Sequence, residues 1–207
     1  GGRFTASEVL GALGRKIFGA NVHPVAEGRV YRAARGRLSK ERFLALLPEL
    51  GIRTALDLRR EKTSKADDLL PGDFAAAGVA FENVHLRSSD LPFPDKIARF
   101  VDILDRARYP LLFYCKRGTD KTGFASFLYL MLFGGEPMET ARRHLGFIPF
   151  GHRKKRHEGP WKFMELMRKH GPVEDLRAWI RDDYPALFEA FVRARPEAGQ
   201  GLNTDRR

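Results

Sequence analysis

The residues best placed to do chemistry are Cys115-Lys116-Arg117-Gly118-Thr119-Asp120-Lys121-Thr122-Gly123, a basic run with the chain's single cysteine at its head. It follows a continuous apolar run, Leu111-Leu112-Phe113-Tyr114, of the kind a buried parallel strand shows. It precedes Phe124 to Phe133, an almost wholly apolar segment, too short for a membrane span and suited to a central buried helix. A strand, a short loop turned at Gly118 and a helix starting near Lys121 or Thr122 together make an anion cradle. Successive backbone N–H groups point inward, and the helix end adds its positive dipole. Lys116, Arg117, Gly118, Thr119, Asp120 and Gly123 are therefore expected around a bound phosphate. The same dipoles favour a thiolate at Cys115, and a thiolate facing a phosphate is set for nucleophilic displacement. A lone cysteine is most often a small buried hydrophobe; the strand–loop–helix context argues the other way here. Lys121-Thr122 is like the end of a Walker nucleotide loop, but that motif needs glycines where Cys115 and Asp120 stand.

The elements that must position this loop alternate along the chain. Thr5 and Glu8 form a capping-box pattern that predicts a helix to Gly19. Val30-Tyr31-Arg32 reads as a short strand, Ser39 caps a helix that Pro48 ends before Gly51, and Thr54 to Leu58 reads as a strand. A polar stretch from Arg59 to Asp68 reads as a loop or short helix. Phe81 to Leu86 is a further strand, and a helix opening at Asp95 runs to about Arg108. After the Cys115 loop and its helix, helical segments are expected near Pro137–Leu145, Trp161–His170 and Val173–Arg193, with a frayed tail. Strands alternating with helices imply an α/β fold with helices on both faces of the sheet, and ligands in such sheets bind at the strands' carboxyl ends. The expected organisation is a single domain: residues 1–24 an N-terminal helix and lead-in, 25–170 the core, and 171–207 a C-terminal helix and tail.

Composition narrows the classes. With 207 residues, 43% hydrophobic and 30% charged, the chain can bury a core without staples. One cysteine excludes an internal disulfide and a cysteine-based structural zinc site, and the six histidines show no metal-ligand spacing. The net charge is +11 and the pI is near 10.1, a balance that favours phosphate esters, nucleic acid or an acidic membrane surface. Part of that excess falls on Lys116, Arg117 and Lys121, and part on the run Arg153, Lys154, Lys155 and Arg156, flanked by His152 and His157. Such a run is most often a solvated loop; at the rim of the cradle it would hold further phosphates of a ligand. Trp161 and Trp179 fit helix cores better than a stacking stripe for bases, so nucleic acid is the weaker expectation. The chain opens Gly1-Gly2 rather than with Met, which leaves a removed signal or anchor open; as given, a cytoplasmic location is expected.

Cys115 to Gly123 resembles the signature loop of the cysteine-dependent phosphatases, which comprise protein tyrosine and dual-specificity phosphatases and their phosphoinositide-acting relatives. Their pattern is His-Cys, five residues, Arg, then Ser or Thr and often Gly. Val30-Tyr31-Arg32-Ala33-Ala34, Gly51 to Arg59 and Pro110 to Tyr114 are similar to the strand segments of small bacterial dual-specificity-like members, so the resemblance covers about residues 25 to 170. It implies a three-layer α/β/α sandwich with a mixed, mostly parallel sheet of four or five strands. It also implies hydrolysis of phosphomonoesters through a phosphocysteine, without a cofactor or metal. The substrate classes implied are phosphotyrosine or phosphoserine-threonine protein, inositol phosphate and phosphoinositide, the last with peripheral contact to an anionic membrane. By the same resemblance Thr122 hydrogen-bonds the sulfur, and Asp90, in the Ser88-Ser89-Asp90-Leu91-Pro92 loop, supplies the leaving-group proton; Asp95 reads more naturally as a helix start.

Two positions depart from the pattern. Tyr114 stands where the family has histidine, and Lys121 stands where it has arginine. A lysine offers a point charge in place of a planar fork on two phosphate oxygens, which would weaken transition-state stabilisation by several kcal/mol, on the order of one oxyanion donor. Arg117 is the neighbouring residue able to substitute. The alternatives to an enzyme are a phosphate-binding module with impaired catalysis and a basic nucleic-acid-binding domain. Asp120 before the basic residue is similar to the Asp-Arg-Thr version found in several lipid and inositol phosphatases.

Overall fold

In the computed structural model, which describes residues 21–36, 38–60, 69–153, 157–171 and 173–195, the strands are His23–Ala26 (β1), Val30–Ala34 (β2), Thr54–Asp57 (β3), Ala80–Asn83 (β4) and Leu111–Cys115 (β5). The helices are Lys40–Glu49 (α1), Pro71–Ala76 (α2), Pro94–Arg106 (α3), Asp120–Leu132 (α4), Met138–Ala141 (α5), Gly159–His170 (α6), Leu176–Ala178 (α7) and Tyr184–Arg193 (α8). The expected helix at Thr5–Gly19, most of the 59–68 stretch and the tail lie outside the described residues.

The sheet order is β1-β2-β5-β3-β4, with β1 antiparallel to β2 and every other pair parallel. β5 is therefore central, and all five of its residues are buried, as its uninterrupted apolar sequence requires of a strand covered on both faces. Alternation splits its side chains. Leu111, Phe113 and Cys115 face a core with residues from α3, α4, α6 and α8, while Leu112 and Tyr114 pack with Phe43 and Leu47 of α1 and Phe74 of α2. Tyr114 thus belongs to the opposite layer from Cys115, its ring 5.0 Å from Phe43 and 6.1 Å from Phe74. α4 buries nine of its 13 residues, which makes it the central helix of its layer. Among the described residues no helix is long and apolar enough to cross a membrane.

Several boundaries differ from expectation for local reasons. Ser39 caps α1 as read, its Oγ accepting from Arg42 N at 3.3 Å. β4 ends at Asn83 rather than Leu86, although Val84 N and Leu86 N still donate to Asp57 O and Leu58 O. The helix expected near Pro137–Leu145 tightens into a 3-10 turn at Arg142–Leu145. The helix expected over Val173–Arg193 starts at Leu176 and widens into a π turn at Trp179–Asp183 just before Pro185, which has no N–H to give Arg181. β1 and α2 have no counterpart in the sequence pattern; β1 is only four residues long and carries an exposed proline at the sheet edge.

The 3-10 turn packs closely against α4. A Cβ on Gly123 would lie 2.7 Å from His144 O, so only glycine allows the approach. His144 itself is buried, and burial, then the nearby Arg32 and His23, hold its pKa down at about 3. It is neutral in the fold and titrates near 6.5 when unfolded, so its contribution to stability is full above pH 6.5 and is lost as pH falls toward 3. Urea unfolding at pH 7 and pH 5 should show a loss of about 2 kcal/mol from this group, beside the loss from His85, which burial holds down to about 3 as well; a pH 7 to pH 5 loss that is unchanged in His144→Gln would show that His144 charges freely in the native state.

Candidate active site

β2, β5 and β3 end in register, with Ala34 opposite Cys115 and Asp57 opposite Tyr114. The loops that leave them meet at one edge, the carboxyl ends of parallel strands. The loop from Cys115 to α4 is held by its carbonyls. Cys115 O accepts from Arg35 N at 2.9 Å, Lys116 O from Gly36 N at 2.6 Å, and Arg117 O from Asn21 Nδ2 at 3.2 Å. Gly118 O accepts from Arg32 Nη2 and Asn21 Nδ2, each at 3.0 Å, and Thr119 O from Arg32 Nη2 at 2.8 Å and Gly123 N at 2.9 Å. Five successive carbonyls are thus committed to the scaffold. The amides of residues 116–119 have no backbone acceptor among the described residues, and the first turn of α4 leaves its own N–H groups unpaired, as every helix start does. This is the donor array an oxyanion needs. Gly118 is required twice over: its φ is +64°, and a Cβ there would sit 2.7 Å from Ala33 C and Ala34 N.

The loop rests on Arg32, a fully buried arginine in β2. Besides the two loop carbonyls, its Nη2 donates to Thr122 Oγ1 at 3.2 Å, its Nη1 donates to His144 O at 2.8 Å, and its guanidinium lies 4.3 Å over the Phe150 ring. Burial lowers its pKa to about 9, against the pull of Cys115 and Asp120. Asn21, in the left-handed region at φ +42°, completes the support, its Oδ1 2.7 Å from His23 Nε2. Thr122 Oγ1 lies 3.4 Å from Thr119 O and accepts from Arg32 Nη2.

Above the loop opens a cavity of about 310 Å³ lined by Arg59, Ser88, Cys115, Lys116, Arg117, Asp120, Lys121 and His157. Four cations and one thiol around one small space favour an anion. Lys121 reaches in from α4 and donates from Nζ to Leu86 O at 3.0 Å; burial brings its pKa down to about 8 while Cys115 pulls it up. Arg59 is fixed by a two-pronged pair with Asp57, Nε to Oδ1 at 2.8 Å and Nη2 to Oδ2 at 2.6 Å. Arg117 does not turn to the sulfur in this arrangement; it donates to Asp120 Oδ2 at 2.9 Å and to His157 Nε2 at 2.8 Å.

Asp120 is the carboxylate of the cavity, and it collects donors. Thr119 Oγ1 donates to Oδ2 at 2.9 Å, Arg117 donates to the same oxygen, and His152 Nδ1 lies 2.9 Å from Oδ1; His157 Nε2 is 3.2 Å from Oδ2 but, in the neutral ring, accepts from Arg117 and does not donate to the carboxylate. Although burial opposes ionisation, these neighbours bring its pKa down to about 2. The tautomer of His152 follows from Trp161. The indole N–H can only donate, it points at His152 Nε2 at 3.1 Å, and the ring proton is therefore on Nδ1, close to Asp120 but off the line of a hydrogen bond to it. His157 in turn places Nδ1 3.2 Å from Ser88 Oγ.

The structure brings together Cys115, Lys116, Arg117, Gly118, Thr119, Asp120, Lys121, Thr122 and Gly123 as expected from one continuous loop. It does not bring Asp90 to the cavity lining. That carboxylate accepts from Lys162 Nζ at 2.8 Å and pairs with Arg87 at 3.1 Å, and these bonds hold its pKa low against half-burial. Asp95 is in the first turn of α3, as its helix-start reading has it. Arg153 is exposed; Lys154, Lys155 and Arg156 lie outside the described residues. Sequence reasoning missed Arg32, Asn21, Arg59 and Ser88, and gave His157 and Trp161 no part. Arg32 did carry a signal: a charge in the middle of an otherwise apolar strand must find partners if that strand is interior. Among the described residues no group of three or more His, Cys, Asp or Glu is arranged to hold a metal ion.

Comparison with known structures bears on the fold. TpbA of P. aeruginosa matches with a TM-score of 0.57 at 19% identity, covering 79% of this chain and 92% of that one. PTPMT1 in complex with PI(5)P matches at 0.54 and 15%, covering 73% and 99%. The core catalytic domain of the PP-IP phosphatase SIW14 from S. cerevisiae, with citrate, matches at 0.50 and 17%, covering 73% and 94%. Comparison with curated protein sequences gives no match. The family model described as the tyrosine phosphatase family matches residues 15–142, which is more than half of the sequence and spans the cradle, Arg32 and the strands between them. The chain belongs to the tyrosine phosphatase family.

Proposed function

We propose that this phosphatase hydrolyses phosphate monoesters through a phosphocysteine on Cys115. The observation that carries this reading is the commitment of five successive loop carbonyls to the scaffold beside a thiol, which leaves the loop amides for the three non-bridging phosphate oxygens. The thiolate attacks phosphorus, the bond to the ester oxygen breaks, and the leaving alcohol takes a proton. Water then attacks the phosphocysteine, the S–P bond breaks, and inorganic phosphate leaves with the thiolate restored. Lys121, the arginine replacement, serves as a point cation on the transferring group.

The proton comes from His157 as its imidazolium in this reading, with Asp120, ionised at a pKa of about 2, as the carboxylate 3.2 Å away that stabilises that charge; burial holds the imidazole below its usual pKa, so this acid is populated toward low pH. Asp90 is spent on Lys162 and Arg87. Of the lining cations, Arg59 and Arg117 are paired with Asp57 and Asp120, while Lys116 stands exposed at the rim beside Lys121, where it suits a second anionic group, such as those of inositol phosphates and phosphoinositides. The PI(5)P complex of PTPMT1 and the name of SIW14 as a PP-IP phosphatase support the same class.

Five variants test the chemistry with aryl phosphates, alkyl phosphates and an inositol phosphate panel. Cys115→Ser should lose at least roughly a thousandfold in kcat; unchanged turnover would end the phosphocysteine reading, and phosphate binding without turnover in the unsubstituted protein would make the chain a binding module. kcat/KM should fall as pH rises through about 8, where Lys121 loses its charge. Lys121→Arg should remove that alkaline limb and raise kcat about tenfold or more; a limb that survives the substitution belongs to another group. With alkyl phosphates, Asp120→Asn and His157→Asn should each cost roughly 10²-fold while Asp90→Asn costs little. The reverse order returns the proton to Asp90.

A further inference from the structure

We propose that the loop Gly146–His152 is a docking tip that seats the enzyme on an anionic lipid bilayer, with Phe147 and Ile148 entering the headgroup boundary. The loop is closed on itself: Gly151 N donates to Phe147 O at 2.5 Å and His152 N to Gly146 O at 3.2 Å. Its root is fixed to the phosphate cradle. Phe150 is buried, stacked 4.8 Å from His144 and lying under the Arg32 guanidinium, and His152 is buried 2.9 Å from Asp120. Its tip is the opposite. Phe147 is 57% exposed and Ile148 64% exposed, two adjacent large hydrophobes facing water on a loop whose other end is anchored. Among the described residues only Leu70, at the start of α2, is comparably exposed.

The occupant follows from size and charge. A stable protein partner needs about 800 Å² from each side, which two side chains on a short turn do not supply. A bilayer accepts isolated apolar side chains when basic residues flank them. The flank is present: Arg153 is exposed directly after the loop, the sequence continues Lys-Lys-Arg, and Lys116 and Arg117 are exposed at the cavity. Each base near an anionic surface adds attraction that reaches about a Debye length. Because His157 lines the cavity five residues beyond His152, a tip seated in lipid holds the cavity close to the headgroups. Docking stands apart from the catalytic reading, since it needs neither the thiol nor the proton pair.

The test is co-sedimentation of the full chain with vesicles of phosphatidylcholine alone and of equal parts phosphatidylcholine and phosphatidylserine, alongside hydrolysis of a soluble aryl phosphate. The unsubstituted protein should pellet with the mixed vesicles and not with the neutral ones, and added salt should weaken the binding. The double variant Phe147→Ser with Ile148→Ser should lose about tenfold or more in partitioning while its urea midpoint and its rate on the soluble ester stay unchanged. Equal partitioning of the two proteins overturns the proposal, as does an unsubstituted protein that stays in the supernatant with both vesicles. Tip-dependent self-association in sedimentation velocity without vesicle binding would overturn it in favour of a protein contact. A dead enzyme that still pellets through the tip would contradict the catalytic reading and leave docking standing.

Discussion

The site depends on one buried cation. Arg32 reaches from β2 beneath the cradle and takes the carbonyls of Gly118 and Thr119, the hydroxyl of Thr122 and the carbonyl of His144. A buried guanidinium is costly unless oxygen atoms surround it, and here two of the oxygen atoms at its Nη groups, those of Gly118 and Thr119, belong to peptide units whose N–H groups form the cradle, while Nε has no hydrogen-bond partner among the described residues. The bonds made by the Nη groups therefore aim the loop. They also tie the loop to the 3-10 turn, so α4, the loop and the Gly146–His152 segment share one support. Cys115 and Asp120 lie close enough to Arg32 for each to favour the protonated guanidinium.

Around that support the charges are distributed in an order that suits a lysine at position 121. Asp120 is held ionised by two histidines, Thr119 and Arg117, and Arg59 is neutralised by Asp57. Lys121 is partly buried and, among the described residues, is anchored by a neutral carbonyl, Leu86 O. Its charge is thus available to an incoming phosphate rather than spent on a carboxylate. What it lacks is the fork geometry of an arginine. The surrounding bases compensate in charge, while orientation falls to the loop amides, and those are set by Arg32.

The central unit was readable in the chain because it is contiguous: an apolar run that needs two covered faces, a glycine where the backbone must pass Ala33 and Ala34 closely, and an apolar helix that must be central. The sheet class followed from alternation of elements. What was not readable comes from pairs far apart in sequence. Arg32 meets Gly118 86 residues away, and Asn21 meets it from 97 residues away. Short local patterns do not encode such pairings. β1 was hidden because an edge strand of four residues with a proline has almost no periodicity, and Trp161 was read as core because its ring does pack there while its N–H reaches His152. Asp90 followed from the resemblance alone, and the salt links to Lys162 and Arg87 that hold it depend on α6 packing against its loop, where Gly159 N donates to Ser88 O at 2.9 Å.

Covalent participation of Cys115 is the claim on which the rest converges. Its most direct measurement is acid quench of a single turnover with an aryl phosphate, followed by peptide mass spectrometry. The account predicts a transient phosphoryl adduct on the peptide that contains Cys115, formed with release of the phenol and lost as inorganic phosphate appears. Phosphate release with no adduct at any time, or an adduct on another residue, would contradict it.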